Sequence, residues 1–117
     1  MAQKIIPSIR QVPEELKEVS LTIAQWAKSK RLIERVYVFG SAFRGKTNAK
    51  DLDIAVEYVL SDEAEALGAF MLDRDEWTGE LASLTGRKID LDLAHPKAAP
   101  TVWRYLSEGC GLAYFKQ

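Results

Sequence analysis

The chain has 117 residues, 47% of them hydrophobic and 28% charged, which predicts one globular domain with a real core and argues against disorder. The formal net charge of −1 leaves no positive excess to attract nucleic acid by counterion release, so no free nucleic acid partner is expected. The sequence shows no secretory signal and no run near the ~20 apolar residues of a membrane span. The single cysteine, Cys110, has no partner for an internal disulfide. These features predict a cytoplasmic protein.

The first half of the chain predicts one helix followed by two strands. Apolar residues recur at helical spacing from Pro13 to Lys30, and proline suits a first helical turn. The stretch 35–39 is β-branched and aromatic, which predicts a short buried strand that ends at Gly40. The stretch 51–59 alternates acidic with apolar residues and then becomes almost wholly apolar, so it predicts a second strand.

A long helix is predicted next, capped by Ser61 or Asp62 and running to about residue 84, where Thr85-Gly86 ends it. Gly68 and Gly79 each cost roughly 1 kcal/mol relative to alanine, so a break in this helix remains an open alternative. The residues expected on its inner side are Leu67, Phe70, Met71, Trp77, Leu81 and Leu84.

The last part of the chain predicts a third strand and a final helix. The stretch 88–94 alternates perfectly, and Pro96 closes it. A helix over about 99–108 ends at Gly109. The order helix, strand, strand, helix, strand, helix predicts an α/β domain with a small mixed sheet flanked by helices.

Carboxylates are placed in pairs on two of the predicted strands. Because successive side chains of a strand point to opposite faces, Asp51 and Asp53 share one face about 6.6 Å apart, and Asp90 and Asp92 do the same. If the two strands are neighbours, three or four carboxylates converge and repel one another. A divalent cation would reverse that repulsion, and Mg²⁺ commonly binds carboxylates together with substrate phosphates.

A stretch that is suited to bind phosphate precedes these acids. Gly40 permits a tight turn and a close approach of the backbone to a ligand, and Ser41 is able to donate its hydroxyl. Arg44 and Lys46 add positive charge within a few residues. Glycine, hydroxyl, cations and paired carboxylates together indicate a site for a metal-bound nucleoside triphosphate.

Four segments in this order, "FGSAFRG", "DLDIAV", "KIDLDL" and "YLSEGCGLAYF", resemble the nucleotidyltransferase superfamily that includes DNA polymerase β. In length and layout the chain is similar to the minimal nucleotidyltransferase (MNT) branch of that superfamily. The resemblance covers nearly the whole chain and implies a single minimal nucleotidyltransferase domain over residues 1–117. The implied fold is that of the polymerase β palm.

The resemblance also implies roles for individual residues. Gly40 and Ser41 match the phosphate-binding pair, and Asp51 and Asp53 match the catalytic metal ligands. Asp90 matches the third catalytic acid and metal ligand, because the pattern apolar-Asp-Leu fits "IDL". The implied cofactor is Mg²⁺ or Mn²⁺, with a nucleoside triphosphate, ATP first, as substrate.

Two residues depart from the family pattern, and several have plainer interpretations. Lys50 stands where a serine usually precedes the first acid, and Phe43 replaces a small residue. Arg44 and Lys46, assigned above to the nucleotide, remain open to interpretation as simple loop charges. Asp92 is a reserve ligand or a bystander. His95, just before Pro96, is interpreted as a turn residue, with a place near the nucleotide as the alternative, and the three tryptophans are interpreted as core residues.

The implied activity is transfer of a nucleoside monophosphate, AMP in the first instance, to a hydroxyl group. Because 117 residues leave no lobe to hold an acceptor, we expect the acceptor on a partner protein, and the resemblance implies a HEPN-type toxin. The alternative is a catalytically slow antitoxin that inhibits a partner by covering its surface. Homo- and hetero-oligomers both remain open.

Overall fold

Five strands and four helices make up the residues that the computed structural model describes, 5–46 and 51–117. The strands are β1 (Ile9–Arg10), β2 (Ile33–Phe39), β3 (Asp51–Tyr58), β4 (Lys88–Leu93) and β5 (Cys110–Phe115). The helices are α1 (Lys17–Lys28), preceded by a 3₁₀ turn (Glu14–Leu16), α2 (Gly40–Phe43), α3 (Glu63–Thr85) and α4 (Pro100–Glu108). The predicted α/β class with a mixed sheet flanked by helices is confirmed.

The five strands form one sheet in the order β1-β5-β2-β3-β4. Strand β2 runs antiparallel to both of its neighbours, β3 and β5. Strand β3 is parallel to β4, and helix α3 makes the crossover between them, as a parallel connection requires. Strand β1 pairs in parallel with β5 at the other edge. Two parallel strands, each carrying acids, therefore lie side by side.

One face of the sheet is thickly covered by α1 and α3. Leu52, Ile54 and Val56 alternate along β3 and are completely buried on this face. Trp26 of α1 and Trp77 of α3 meet edge to face there, with ring centroids 5.4 Å apart. The predicted core role of these two tryptophans is confirmed.

The opposite face is only partly covered. A smaller apolar cluster that includes Tyr37, Phe39 and Ala55 packs against Leu106 of α4. Trp103 also lies on α4, half-buried, and its Nε1 donates a hydrogen bond to the carbonyl oxygen of Ile5 over 2.8 Å. The remainder of this face, where β3 and β4 carry their acids, is open toward solvent.

The prediction for helix α3 is confirmed in part and corrected in part. It runs unbroken through Gly68 and Gly79, and the side chain of Asp62 caps it by accepting a hydrogen bond from the backbone N–H of Glu65 over 3.0 Å. The predicted burial of Phe70, Trp77 and Leu81 is correct. The prediction was wrong for three residues, whose exposed fractions are large: Leu67 (40%), Met71 (72%) and Leu84 (57%).

The physical reason for this correction is the helical rotation of 100° per residue. Leu67 and Met71 each directly follow a residue that faces the sheet, Ala66 and Phe70. Their side chains are therefore turned away from the core, and Leu84 lies in the last turn of the helix. None of the helices in the described ranges is long and apolar enough to cross a lipid bilayer.

Candidate functional site

The acids of β3 and β4 meet on the open face of the sheet. In the parallel register Asp53 lies directly opposite Asp90, while Asp51 lies opposite Lys88. All three aspartates share this face, because the residues that alternate with them belong to the buried core. The structure thus brings Asp53 and Asp90 together and places Asp51 one pair farther along, beside a lysine.

The pairing of Asp53 with Asp90 is unfavourable when both are ionised. Partial burial, the charge of Asp90 and a hydrogen bond between the two carboxyl groups together raise the pKa of Asp53 to about 6. The charges of Asp92 and Asp51 act in the same direction. A cation placed between the carboxylates would remove this repulsion.

Gly40 lies immediately beside Asp53. Strand β2 ends at Phe39, which is the register partner of Asp53, and Gly40 then turns the chain with φ of +78°. A Cβ atom at this position would overlap Oδ2 of Asp53 and lie 2.8 Å from its Cγ. Glycine is therefore needed at position 40 both for the backbone turn and for the close approach to the carboxylate.

A cleft of about 690 Å³ opens beside this contact. Four of the sequence-predicted site residues line it: Gly40, Ser41, Arg44 and Asp53. Ser41 is partly buried in the four-residue helix α2, and Arg44 is exposed. A hydroxyl donor and a guanidinium thus face the same space as a carboxylate, as a metal-bound phosphate ligand requires.

The remaining predicted residues lie outside the lining of this cleft. Lys46 is exposed, and its backbone N–H donates to the carbonyl oxygen of Ser41 over 3.1 Å. Asp51 and Asp90 stand on the open sheet face. The prediction for Lys50 falls outside the described residues.

The far wall of the cleft comes from residues that the sequence did not indicate: Arg10, Tyr105, Glu108 and Gly109. Tyr105 and Glu108 lie on α4, and Arg10 lies on the two-residue strand β1. Tyr105, Glu108 and Gly109 all fall inside the "YLSEGCGLAYF" segment of the resemblance, which assigned them no role. Arg10 had no local signal, because it reaches the cleft only through the pairing of β1 with β5.

The donor set suits a hard divalent cation. Within the described residues no three or more of the Asp, Glu, His and Cys side chains gather closely enough to enclose a metal by themselves. Mg²⁺ rarely needs such an enclosure, because it usually takes one or two carboxylates and fills its other positions with water and substrate phosphate. The apposed carboxylates of Asp53 and Asp90, next to a cleft with phosphate-binding groups, fit that requirement.

Asp92 belongs to the same sheet face but not to the carboxylate pair. Its register partner is Ala55, so no acid faces it across the strands. Burial, followed by the charge of Asp90, raises its pKa, while Arg74 acts in the opposite direction. The ranking of Asp90 above Asp92 as a ligand stays a prediction, and the register gives it a physical reason.

Both ring nitrogens of His95 form hydrogen bonds that hold a turn. Its Nε2 donates to the carbonyl oxygen of Ser61 over 2.9 Å, and its Nδ1 accepts from the backbone N–H groups of Lys97 and Ala98, each over 3.1 Å. The ring is buried, with 7% of its surface exposed. The interpretation of His95 as a turn residue is confirmed, and no nitrogen of the ring is left for a nucleotide.

Comparison with known proteins adds no assignment, since no family model matches this chain and no curated protein matches it.

Proposed function

We propose that this protein is a metal-dependent nucleotidyltransferase of the minimal (MNT) kind, which moves AMP from ATP onto a hydroxyl group of a partner protein. The observation that carries the proposal is the register of β3 and β4, which sets Asp53 against Asp90 directly beside Gly40 and the cleft of about 690 Å³. The order of motifs along the chain supports the same assignment by resemblance.

A purely structural role does not account for the paired carboxylates. Two like charges held side by side repel each other, and the charge of Asp90 contributes to raising the pKa of Asp53 to about 6. The open face offers a nearby lysine, Lys88, but its register partner is Asp51 rather than either member of the pair. Such a cost at the mouth of a cleft is typical of a site that is completed by a cation.

In this proposal Asp53 and Asp90, with Asp51 beside them, hold Mg²⁺ or Mn²⁺. When bound, the metal supplies charge neutralisation at the phosphates and increases the acidity of the acceptor hydroxyl. Ser41 donates its hydroxyl to a phosphate oxygen, and Arg44 places its guanidinium against the triphosphate. Gly40 keeps the backbone close enough for its N–H group to contribute.

The transfer step conserves atoms and charge with the groups present. The acceptor oxygen forms a bond to the α-phosphorus of ATP, and the bond from that phosphorus to the oxygen bridging to the β-phosphate breaks. Pyrophosphate leaves with that oxygen. The exposed carboxylate of Asp90 accepts the proton of the acceptor hydroxyl.

The acceptor is expected on a partner protein, and the resemblance favours a HEPN-type toxin. The described residues form a single sheet with its helices, and they include no second lobe that could grip an acceptor. Helix α3 exposes large apolar side chains, with Met71 72% and Leu72 85% exposed. Exposed apolar surface of this kind is common at protein interaction sites.

The same apolar side chains favour the second candidate function, a slow antitoxin that inhibits its partner by covering it. The two candidates differ in whether the partner becomes modified. They share the expectation that a complex forms.

The deciding experiment incubates the protein with ATP, Mg²⁺ and the protein encoded by the neighbouring gene. Intact mass spectrometry should show the neighbour with one added AMP, and Asp53→Asn should abolish the addition. In parallel, ATP should raise the melting temperature of the parent only when Mg²⁺ is present, and Asp53→Asn should lose that effect. A neighbour that is bound and inhibited but unmodified would establish the covering function instead.

A further inference from the structure

We propose that Arg10 is the second phosphate-binding cation of the cleft, and that it holds the terminal phosphates of the nucleotide from the wall opposite Arg44. The inference rests on the proposed function and specifies its substrate as a nucleoside triphosphate recognised by its polyphosphate tail. It concerns a residue outside every motif of the resemblance.

Arg10 is exposed and forms no ion pair within the described residues, yet its position is fixed by the backbone around it. The N–H of Ser8 donates to the carbonyl oxygen of Leu106 over 2.9 Å, and the N–H of Cys110 donates to the carbonyl oxygen of Ser8 over 3.0 Å. Strand β1 then pairs with β5, which sets Arg10 opposite Gly111. The segment that carries Arg10 is thus attached at successive points to the end of α4 and the start of β5.

The side chain of Arg10 lies close to the backbone of Gly109. A Cβ at Gly109 would lie 3.3 Å from Nε of Arg10, 3.6 Å from its Cδ and 3.9 Å from its Cζ. The arginine side chain therefore lies close along the backbone at Gly109, where an added Cβ would require it to shift, and Gly109 itself has a φ of +143°. A guanidinium held in this way loses less conformational freedom on binding a phosphate than a free surface arginine does.

The cleft is arranged for an extended anion. Arg44, which follows α2, and Arg10 on β1 both line the cleft, as do Ser41 and Asp53. Arg10 on β1 is three strand spacings from Asp53 on β3, about 14 Å across the sheet before side-chain reach is counted. A polyphosphate chain with one end near the acids, together with the reach of the arginine side chain, spans that distance.

Glu108, near Arg10 in the cleft, carries the opposite charge, so replacing it should change phosphate affinity in the opposite direction and serve as a control. Glu108 lines the same wall as Arg10 and is exposed. Its carboxylate repels a polyphosphate bound there. Replacing Glu108 by glutamine should therefore tighten the binding that the loss of Arg10 weakens.

The test measures dissociation constants by calorimetry in Mg²⁺ for three probes: ATP, AMP and inorganic tripolyphosphate. Arg10→Ala should weaken ATP and tripolyphosphate by about ten-fold or more, the cost of losing a hydrogen bond to a charged group, and should leave AMP unchanged. Arg10→Lys should restore part of the affinity, because it keeps the charge but loses the planar fork. Arg104→Ala, an exposed arginine of α4 outside the cleft lining, should change nothing.

Each outcome separates the inference from the proposed function. If the parent binds ATP with Mg²⁺ and Asp53→Asn abolishes this, but Arg10→Ala binds all three probes like the parent, the inference is overturned and the proposed function stands. Equal weakening of ATP and AMP by Arg10→Ala would overturn the inference too, because it would indicate a structural role. A parent that binds neither ATP nor tripolyphosphate would overturn both.

Discussion

At the scale of single residues, Asp53 links the proposed site to the stability of the fold. Its pKa is raised to about 6, whereas an aspartate of an unfolded chain titrates near 3.9. Between these values Asp53 binds more protons in the folded protein than in the unfolded chain, so its contribution to the free energy of unfolding of the metal-free protein should fall as the pH rises from about 4 to 6. Raising the pH through this window therefore weakens the fold until a cation is supplied.

Asp53→Asn should remove this pH dependence, because an amide carries no charge to repel Asp90. In EDTA at about pH 7 the variant should gain about 1 kcal/mol in free energy of unfolding, a figure reduced for solvent screening at this partly exposed group. Urea unfolding across the pH range is the measurement, and Asp75→Asn, an exposed acid of α3, is the control. A parent and variant with the same pH slope would disprove the coupling of Asp53 to Asp90.

Gly40 and Gly45 form a matched pair for separating backbone strain from contact. Both have positive φ, +78° and +89°, but among the described residues only a Cβ at Gly40 meets another group, the carboxyl of Asp53. Gly45→Ala should cost about 1–2 kcal/mol of stability from strain alone. Gly40→Ala should cost more and should also abolish Mg²⁺-dependent ATP binding, measured by calorimetry. Equal effects of the two substitutions would show that the contact with Asp53 has no role.

At the scale of elements, the register of β3 with β4 ranks the two acids of the third predicted strand. Asp90 faces Asp53 across the strands, whereas Asp92 faces Ala55. We expect Asp90→Asn to stop AMP transfer and Asp92→Asn to retain most of it, in the intact-mass assay with the same partner. Loss of activity in Asp92→Asn alone would place the metal one residue pair farther along the sheet.

Helix α3 contains two glycines whose lack of a side chain is not required by the packing. Gly68 and Gly79 are exposed, and a Cβ at either would have no atom of the described residues 5–46 and 51–117 within 4 Å outside its own stretch of helix. Replacement by alanine should therefore raise the free energy of unfolding by about 0.5–1 kcal/mol at each site. The sites are 11 residues, about 16 Å, apart along the helix, so the double variant should show the sum in urea unfolding. A destabilised single variant would contradict an unconstrained position.

Elements with strong local patterns were predictable from the sequence, and those made by distant pairing were not. The alternation around Asp53 and Asp90 identified β3 and β4, and Gly86 correctly marked the end of α3. Strand β1 has two exposed residues and no periodicity, so only its pairing with β5 makes it a strand. The same long-range pairing places Arg10, which explains why this residue of the cleft had no sequence signal.

At the scale of the whole molecule, one face of the sheet carries the larger hydrophobic core and the other carries the acids of the proposed site. The face covered by α1 and α3 contains the larger core cluster, and the face under α4 leaves the acids of β3 and β4 open. Repulsion at the open face is tolerated because the covered face supplies most of the buried apolar area. The same division leaves the outer surface of α3 free of any role in the cleft.

The charge of the molecule as a whole leads to a last prediction about the acceptor. A net charge of −1 gives no field to concentrate a polynucleotide, and the two arginines of the cleft, Arg10 and Arg44, are assigned above to the triphosphate. An RNA acceptor would have to bring its phosphates toward the acids of the open face against Coulomb repulsion, with few counterions released in return. We therefore expect no label in RNA oligonucleotides incubated with the protein, Mg²⁺ and α-phosphate-labelled ATP, while the partner protein in the same tube is labelled. RNA labelling that persists as salt is raised to about 0.15 M, where surface charges are screened beyond roughly 8 Å, would refute a protein acceptor and indicate a dedicated RNA-binding surface.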